Sequence, residues 1–199
     1  MGTVMTLSRQ DFRTSIRHKR NQLNSDVQHL AGLDLIQQFS RLPELSQAQH
    51  IALYLTTDGE LETMPLIEWL WQQGKKTYLP VIHPFSKGHL LFLHYDRTTP
   101  MVLNRYSIPE PKLAQSQILP AKSLDLICTP LVGFDSRGHR LGMGGGYYDR
   151  TLEPWFKTGK GPIPIGLAHD CQHVEQLPIA SWDVPLPKVV TPTKIWQWD

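Results

Sequence analysis

Cysteine is scarce: Cys128 and Cys171 are the two in 199 residues. A pair gives no disulfide framework, and Cys128 lies in an apolar stretch, so both are expected as reduced thiols of a cytoplasmic protein. Long apolar runs are missing too, which leaves neither a membrane span nor a signal peptide to expect. Met1-Gly2 with Thr6 matches the myristoylation pattern, but nothing else supports an anchor and the match is read as chance. Net charge is only +2 with histidine neutral. Neither nucleic acid nor a membrane surface is implied, and any electrostatic argument has to be local. His83, His89 and His94 lack tight metal-ligand spacing and are read as surface or strand-edge residues rather than a zinc site. No internal repeat, low-complexity tract or interdomain linker is found. With 40% hydrophobic and 19% charged residues, the expectation is one compact α/β domain over residues 1–199, a monomer, burying roughly 70% of its unfolded surface.

What is present concentrates between Thr129 and Asp149. This stretch reads as a buried strand, a tight turn at Asp135 to Gly138, a glycine-rich loop and the first turn of a helix. Gly142, Gly144, Gly145 and Gly146 crowd the segment before Tyr147, which permits positive φ and close approach to the backbone. Such a loop opening a helix gathers N–H groups and the positive dipole end, which suits an anion. Arg140 adds charge upstream and Asp149 offers a carboxylate for a metal. The alternative is a tight strand-to-helix turn with no ligand. The glycines run into Tyr147-Tyr148 rather than Lys and Ser or Thr, so this is no P-loop. Tyr147 also occupies the position of the third glycine in a dinucleotide fingerprint.

A capping-box start at Ser8-Arg9-Gln10-Asp11, with Leu7 and Phe12 spaced as a staple, predicts a first helix. Arg9, Arg13, Arg17 and Arg20 share one sector of it, beside the apolar Phe12, Ile16 and Leu23. A solvated basic face is one reading. Repulsion among four like charges favours a bound anion. A second helix is predicted over Val27 to Leu42 with Ser25 as cap, and a third over Pro65 to Gln73 with Gly74 beyond it. Strands are predicted at Ile51 to Thr56, Thr77 to His83, Leu90 to Tyr95 on the sheet edge, and Leu124 to Leu131 in the centre. Ile163 to His169 reads as another, pushed towards an edge by Pro164, with short final strands at Val189 to Thr191 and Ile195-Trp196. Pro100 to Pro120 reads as an irregular surface connection. The alternation predicts a three-layer α/β/α fold with a mostly parallel central sheet. Its ligand end would gather the loops after Leu55, Leu131 and Ala168. No Ser-His-Asp ordering or reactive cysteine is evident, whereas arginines, helix N–H groups and a carboxylate-held Mg²⁺ suffice for phosphoryl transfer.

Phe134-Asp135, Gly138, Arg140-Leu141-Gly142, Gly144 and Gly146-Tyr147-Tyr148-Asp149 closely resemble the signature loop of the 5-formyltetrahydrofolate cyclo-ligase family. The resemblance implies ATP- and Mg²⁺-dependent closure of 5-formyltetrahydrofolate to 5,10-methenyltetrahydrofolate through a phosphorylated imidate, releasing ADP and phosphate. It implies ATP contacts from Arg9, Gln10, Asp11, Phe12 and Arg13, and from Arg140, Leu141, Gly142, Met143, Gly144, Gly145, Gly146, Tyr147 and Tyr148. Folate would be held by Leu55, Glu60 and the Met143 to Tyr147 loop, and Mg²⁺ by Asp149 and Asp183. Arg140 and Tyr148 are the catalytic candidates. The chain departs from many members in carrying Met143 and Gly145 where they carry basic residues, so that charge must come from Arg140 or the N-terminal arginines. The rival readings are a sugar-phosphate isomerase or coenzyme A transferase on a similar scaffold, and a non-catalytic phosphometabolite-binding module.

Overall fold

The computed structural model describes residues 7–198, so the Met1-Gly2 and Thr6 pattern lies outside the described residues. Helix α1 runs Arg9–Asn21, and its start is fixed as the sequence predicts: the Ser8 N–H and hydroxyl both donate to Asp11, whose own N–H donates back to Ser8 Oγ. That reciprocal cap satisfies N–H groups the helix leaves open. Leu7 remains 56% exposed, so the staple adds little burial. Helix α2 (Ser25–Phe39) is capped by Asn24, one residue before the expected Ser25. Strand β1 (His50–Ala52) leads to α3 (Met64–Gln72), and β2 (Lys76–Ile82) and β3 (Leu90–Tyr95) follow.

Residues 100–120 are more ordered than expected. They hold a two-stranded hairpin of β4 (Met101–Leu103) and β5 (Pro109–Pro111), then β6 (Ile118–Leu119), which pairs outside β3 and takes the sheet edge from it. Prolines at 109 and 111 suit a two-stranded ribbon, where one side of each strand needs no donor.

Strand β7 (Leu126–Thr129) is buried throughout. After it come β8 (Gly133–Asp135), β9 (Arg140–Leu141), α4 (Tyr147–Thr158), β10 (Ile163–Leu167), β11 (His173–Val174), β12 (Lys188–Val190) and β13 (Ile195–Gln197). The main sheet has the order β13-β12-β10-β7-β1-β2-β3-β6, and its five central strands, β12 to β2, are parallel. Strands β11, β8 and β9 form a small second sheet.

Strand β10 is interior, not at an edge. The N–H of Ile163 turns to Asp125 beside β7, so the nitrogen of Pro164 faces the β12 side. Pairing with β12 begins only at Ile165, and the missing donor falls one residue before it is needed.

Helices α2 and α3 cover one face, burying Leu35, Phe39, Leu66 and Leu70 against Ile51, Leu79 and Leu126. On the other face Leu152 of α4 and Phe134 of the small sheet pack on Ile127, Tyr78 and Val189. The layers are therefore the three predicted. Along the parallel strands the chain order reverses between β1 and β7, and the crevice at their carboxyl ends is where open α/β sheets bind ligands. The loops after β1 and β7 meet there.

Candidate active site

The loop after β7 turns through β8 and β9 before the glycine run. Asp135, fully buried, accepts the N–H groups of Arg137, His139 and Leu177, and Gly138 donates to its carbonyl at 3.1 Å, closing the predicted turn. Burial pushes that carboxyl up, but these donors more than offset it and hold it below the usual range. Beyond β9, Gly144 and Gly146 adopt φ of +97° and +68°, and Gly146 opens α4. Unlike α1 and α2, α4 has no side-chain cap. Its first N–H groups thus remain available to an anion.

The four arginines of α1 divide into two pairs. Arg9 reaches Asp183 in a fork, at 2.5 and 2.9 Å, and donates to the Pro178 carbonyl. Arg13 donates through Nε to Gly142 O at 2.8 Å, and its Nη2 lies 3.5 Å from where a Cβ on Gly144 would stand. The Arg9–Arg13 turn and the glycine loop are therefore neighbours. Arg17 and Arg20 do something else. Both bind Asp58 in the loop after β1, and Arg20, wholly buried, also donates to Leu131 O. The Arg17 hydrogen bond, with help from Asn21 and Arg20, holds the Asp58 carboxyl at about 2. Of the four arginines on the expected seam, Arg13 alone meets the glycine loop, while Arg9 is paired with Asp183 and Arg17 and Arg20 with Asp58. These carboxylates are distant in sequence, so helical spacing cannot see them.

Arg140 is buried and donates to Asp149 Oδ1, which also accepts the Val184 N–H at 3.2 Å. Arg140 Nε, Tyr148 Oη and Thr129 Oγ1 are buried with no hydrogen-bond partner among the described residues. Such orphaned groups call for an explanation, and those of Arg140 and Tyr148 belong to residues on either side of the glycine run. Burial, then the nearby Glu60 charge, raises the Tyr148 phenol, so it stays a neutral donor. Asp11, in contrast, is committed to capping Ser8, and Gln10 is exposed.

The carboxylates differ in their fit to a metal. Asp183 accepts from Arg9 on both oxygens and from the Ala180 N–H. Burial raises its carboxyl and these donors pull it lower still, below the usual range. Asp149 has donors on Oδ1 alone, and its side chain keeps 21% exposure. A Mg²⁺ bound mainly by phosphate oxygens and water needs one or two carboxylates. Asp149 fits that role as it stands, whereas Asp183 must release Arg9 first. No cluster of three or more His, Cys, Asp or Glu exists among the described residues.

Across the crevice, Leu55 packs on the α2–α3 side of the core. Glu60 Oε2 accepts the Thr57 N–H at 3.1 Å, and burial raises its carboxyl above the ordinary value. An arginine-flanked helix start with open N-terminal N–H groups thus lies near a half-buried acid of the β1 loop.

A sequence model of the 5-formyltetrahydrofolate cyclo-ligase family matches residues 5–192. The chain belongs to that family. It is 51% identical over 185 residues to the 5-formyltetrahydrofolate cyclo-ligase of Escherichia coli strain K12, covering 92% of this chain and 100% of that protein. The Haemophilus influenzae cyclo-ligase is 52% identical over 181 residues, 91% of this chain and 96% of that one. An NMR structure of Aquifex aeolicus 5,10-methenyltetrahydrofolate synthetase superposes with a TM-score of 0.81 at 26% identity, covering 96% of this chain and 93% of that chain.

Three groups that contact the glycine loop or the β1 loop carry no signal in the sequence. The β4–β5 tip delivers Arg105 and Tyr106 to Tyr147: Arg105 donates to its hydroxyl, and the two phenol oxygens lie 3.2 Å apart. Arg150 donates to Gly145 O at 2.9 Å and leans on the β2–β3 turn at Gly88. With Arg13 it surrounds the glycine run with charge, although positions 143 and 145 carry none. His169, buried at the end of β10, bonds Gln28 at 2.8 Å, and Gln28 in turn donates to Gly59 O. This fixes the backbone next to Glu60. A basic residue within a hairpin tip and a histidine after an apolar strand carry no motif, so no local signal marks them.

Proposed function

We propose that the protein catalyses the ATP- and Mg²⁺-dependent cyclisation of 5-formyltetrahydrofolate to 5,10-methenyltetrahydrofolate. Family membership and relatives that share half of its residues along nearly their whole length support the activity. The observation that carries the use of a nucleotide is the uncapped start of α4, with Arg13 beside Gly144.

In this reading the formyl oxygen attacks the γ-phosphate of ATP. The O–P bond forms as the bond to ADP breaks, leaving a phosphorylated imidate. N10 then bonds to the activated carbon and loses its proton, and the C–O bond breaks to release phosphate. Neither step needs a protein nucleophile, so the chain contributes position and charge. Arg13, the α4 N–H groups and Arg140 hold and neutralise phosphate oxygens. Arg9, already paired with Asp183, keeps the adjoining segment in place. Glu60 takes the polar edge of the pterin, and Tyr148, as a neutral phenol, donates to the oxygen gaining charge. Mg²⁺ would lie on Asp149, where it supplies charge neutralisation for the transferring phosphate.

The test mixes the protein with Mg-ATP and 5-formyltetrahydrofolate and follows methenyl absorbance against ADP formed. Equal amounts of the two products are expected. Folded protein that makes no ATP-dependent methenyl product would overturn the assignment, and binding without product would favour a phosphometabolite sensor.

A further inference from the structure

The arginines around the site differ in whether their charge is already answered. Arg9 faces Asp183, Arg140 faces Asp149, and Arg17 and Arg20 share Asp58. Arg13 and Arg150 bond backbone carbonyls in the glycine loop itself. Arg105 has no carboxylate partner among the described residues. It is exposed, donates to the Tyr147 hydroxyl, and lies 4.9 Å from the centre of the Tyr106 ring.

Its position is nevertheless built. Within the hairpin tip, Asn104 Oδ1 accepts the N–H groups of Tyr106 and Ile108, and Asn104 N bonds Ile108 O. Asn104 Nδ2 then donates to Glu110, whose same oxygen accepts the Ile82 N–H at the end of β2. The tip is tied both to itself and to the main sheet. A guanidinium held by a phenol and an aromatic face is pre-oriented, so less ordering cost remains when a ligand arrives.

The approach direction selects the ligand. Arg13 comes from α1 and meets the loop at Gly142 and Gly144, where the α4 N–H groups open. Arg105 comes from the hairpin, beyond Tyr147, on the flank that Arg150 ties to the β2–β3 turn. Resting on the cyclo-ligase reading above, we propose that Arg105 binds a carboxylate of the substrate's glutamate tail. A planar fork matches a carboxylate in two bonds, and the phosphates already have their donors on the far flank. The other anion Arg105 could answer is the γ-phosphate, and the experiment separates the two.

The test compares wild type with Arg105→Gln and Arg105→Lys, using 5-formyltetrahydrofolate and 5-formyltetrahydropteroate, which lacks the glutamate. Arg105→Gln is expected to raise KM for the glutamate-bearing substrate about tenfold, the scale of one exposed charge-assisted bond, and to leave KM for ATP within about twofold. The advantage of the glutamate-bearing substrate over the pteroate should shrink by the same factor, and Arg105→Lys should recover part of it. Added salt should raise the wild-type folate KM more than that of the variant. A rise confined to KM for ATP would move Arg105 to the phosphates. Equal losses on both folates, or none on either, would make it structural. Wild type without ATP-dependent product would instead sink the cyclo-ligase reading.

Discussion

The guanidinium of Arg140 donates to the carboxylate of Asp149 across the glycine run, so one ion pair pins both ends of the loop. Because Arg140 is buried, the pair both shapes the loop and places a charge beneath it. Arg140→Ala should therefore act twice. Loss of one preorganised donor costs about a hundredfold in kcat, and breaking a buried pair costs about 3 kcal/mol of stability. Turnover at saturating substrates, measured well below the melting temperature, separates the two effects. Normal turnover with a lowered melting temperature would assign Arg140 to scaffolding alone.

The two aspartates should part company in their response to magnesium. Asp149 has an oxygen without a donor, whereas both oxygens of Asp183 are taken by Arg9 and Ala180. Asp149→Asn should raise the Mg²⁺ concentration for half-maximal activity by at least about tenfold. Asp183→Asn should chiefly lower thermal stability, since it frees Arg9, with little change in that concentration. Titrating Mg²⁺ at fixed ATP decides the matter. A large shift for Asp183→Asn would show that Arg9 yields its partner when the nucleotide binds.

Features set by local chemistry were legible in the sequence. The Ser8 cap, the glycine run and its opening of α4, and the β1 and β7 loops at one end of the sheet all follow from short-range pattern and topology. What escaped depends on partners far apart in the chain. Arg17 and Arg20 look like Arg9 and Arg13 on a helical wheel, and only their partners tell them apart: Asp58 for the first two, Asp183 for Arg9 and the glycine loop for Arg13. Pro164 reads as an edge signal until the start of β12 is known. The Arg105 hairpin hides within a proline-rich stretch, because its two strands gain meaning only from Tyr147 and the end of β2.

His169 should give the protein an acid limb of instability. Burial lowers this histidine to about 4, and the positive Arg20 adds to the effect, while the Glu60 and Gly59 carbonyls and Asp170 oppose it. The folded state holds the ring neutral and the unfolded chain titrates near 6.5, so between those values the unfolded state binds more protons. The contribution is fully present above 6.5 and is lost as pH falls towards 4, about 3 kcal/mol in all. Urea midpoints at pH 7 and pH 5 should differ accordingly, and His169→Gln should flatten the difference. An unchanged pH dependence in the variant would place the limb on another group.

Glu60 should leave its own mark on the pH profile of folate use. Burial raises its carboxyl above 4.5, opposed by the Thr57 N–H and by Arg20. If the ionised form receives the pterin N–H groups, kcat/KM for 5-formyltetrahydrofolate falls as acid protonates it, at a pH higher than an exposed glutamate would require. Glu60→Gln keeps the Thr57 contact but loses the charge. It should raise KM for the folate by about tenfold or more, the scale of a hydrogen bond to a charged group. The same substitution should remove the acid limb of kcat/KM for the folate and leave KM for ATP nearly as it was. Steady-state profiles from pH 5 to 8 with each substrate varied in turn read all three. A limb that persists in Glu60→Gln, with folate KM unmoved, would take the pterin away from the β1 loop.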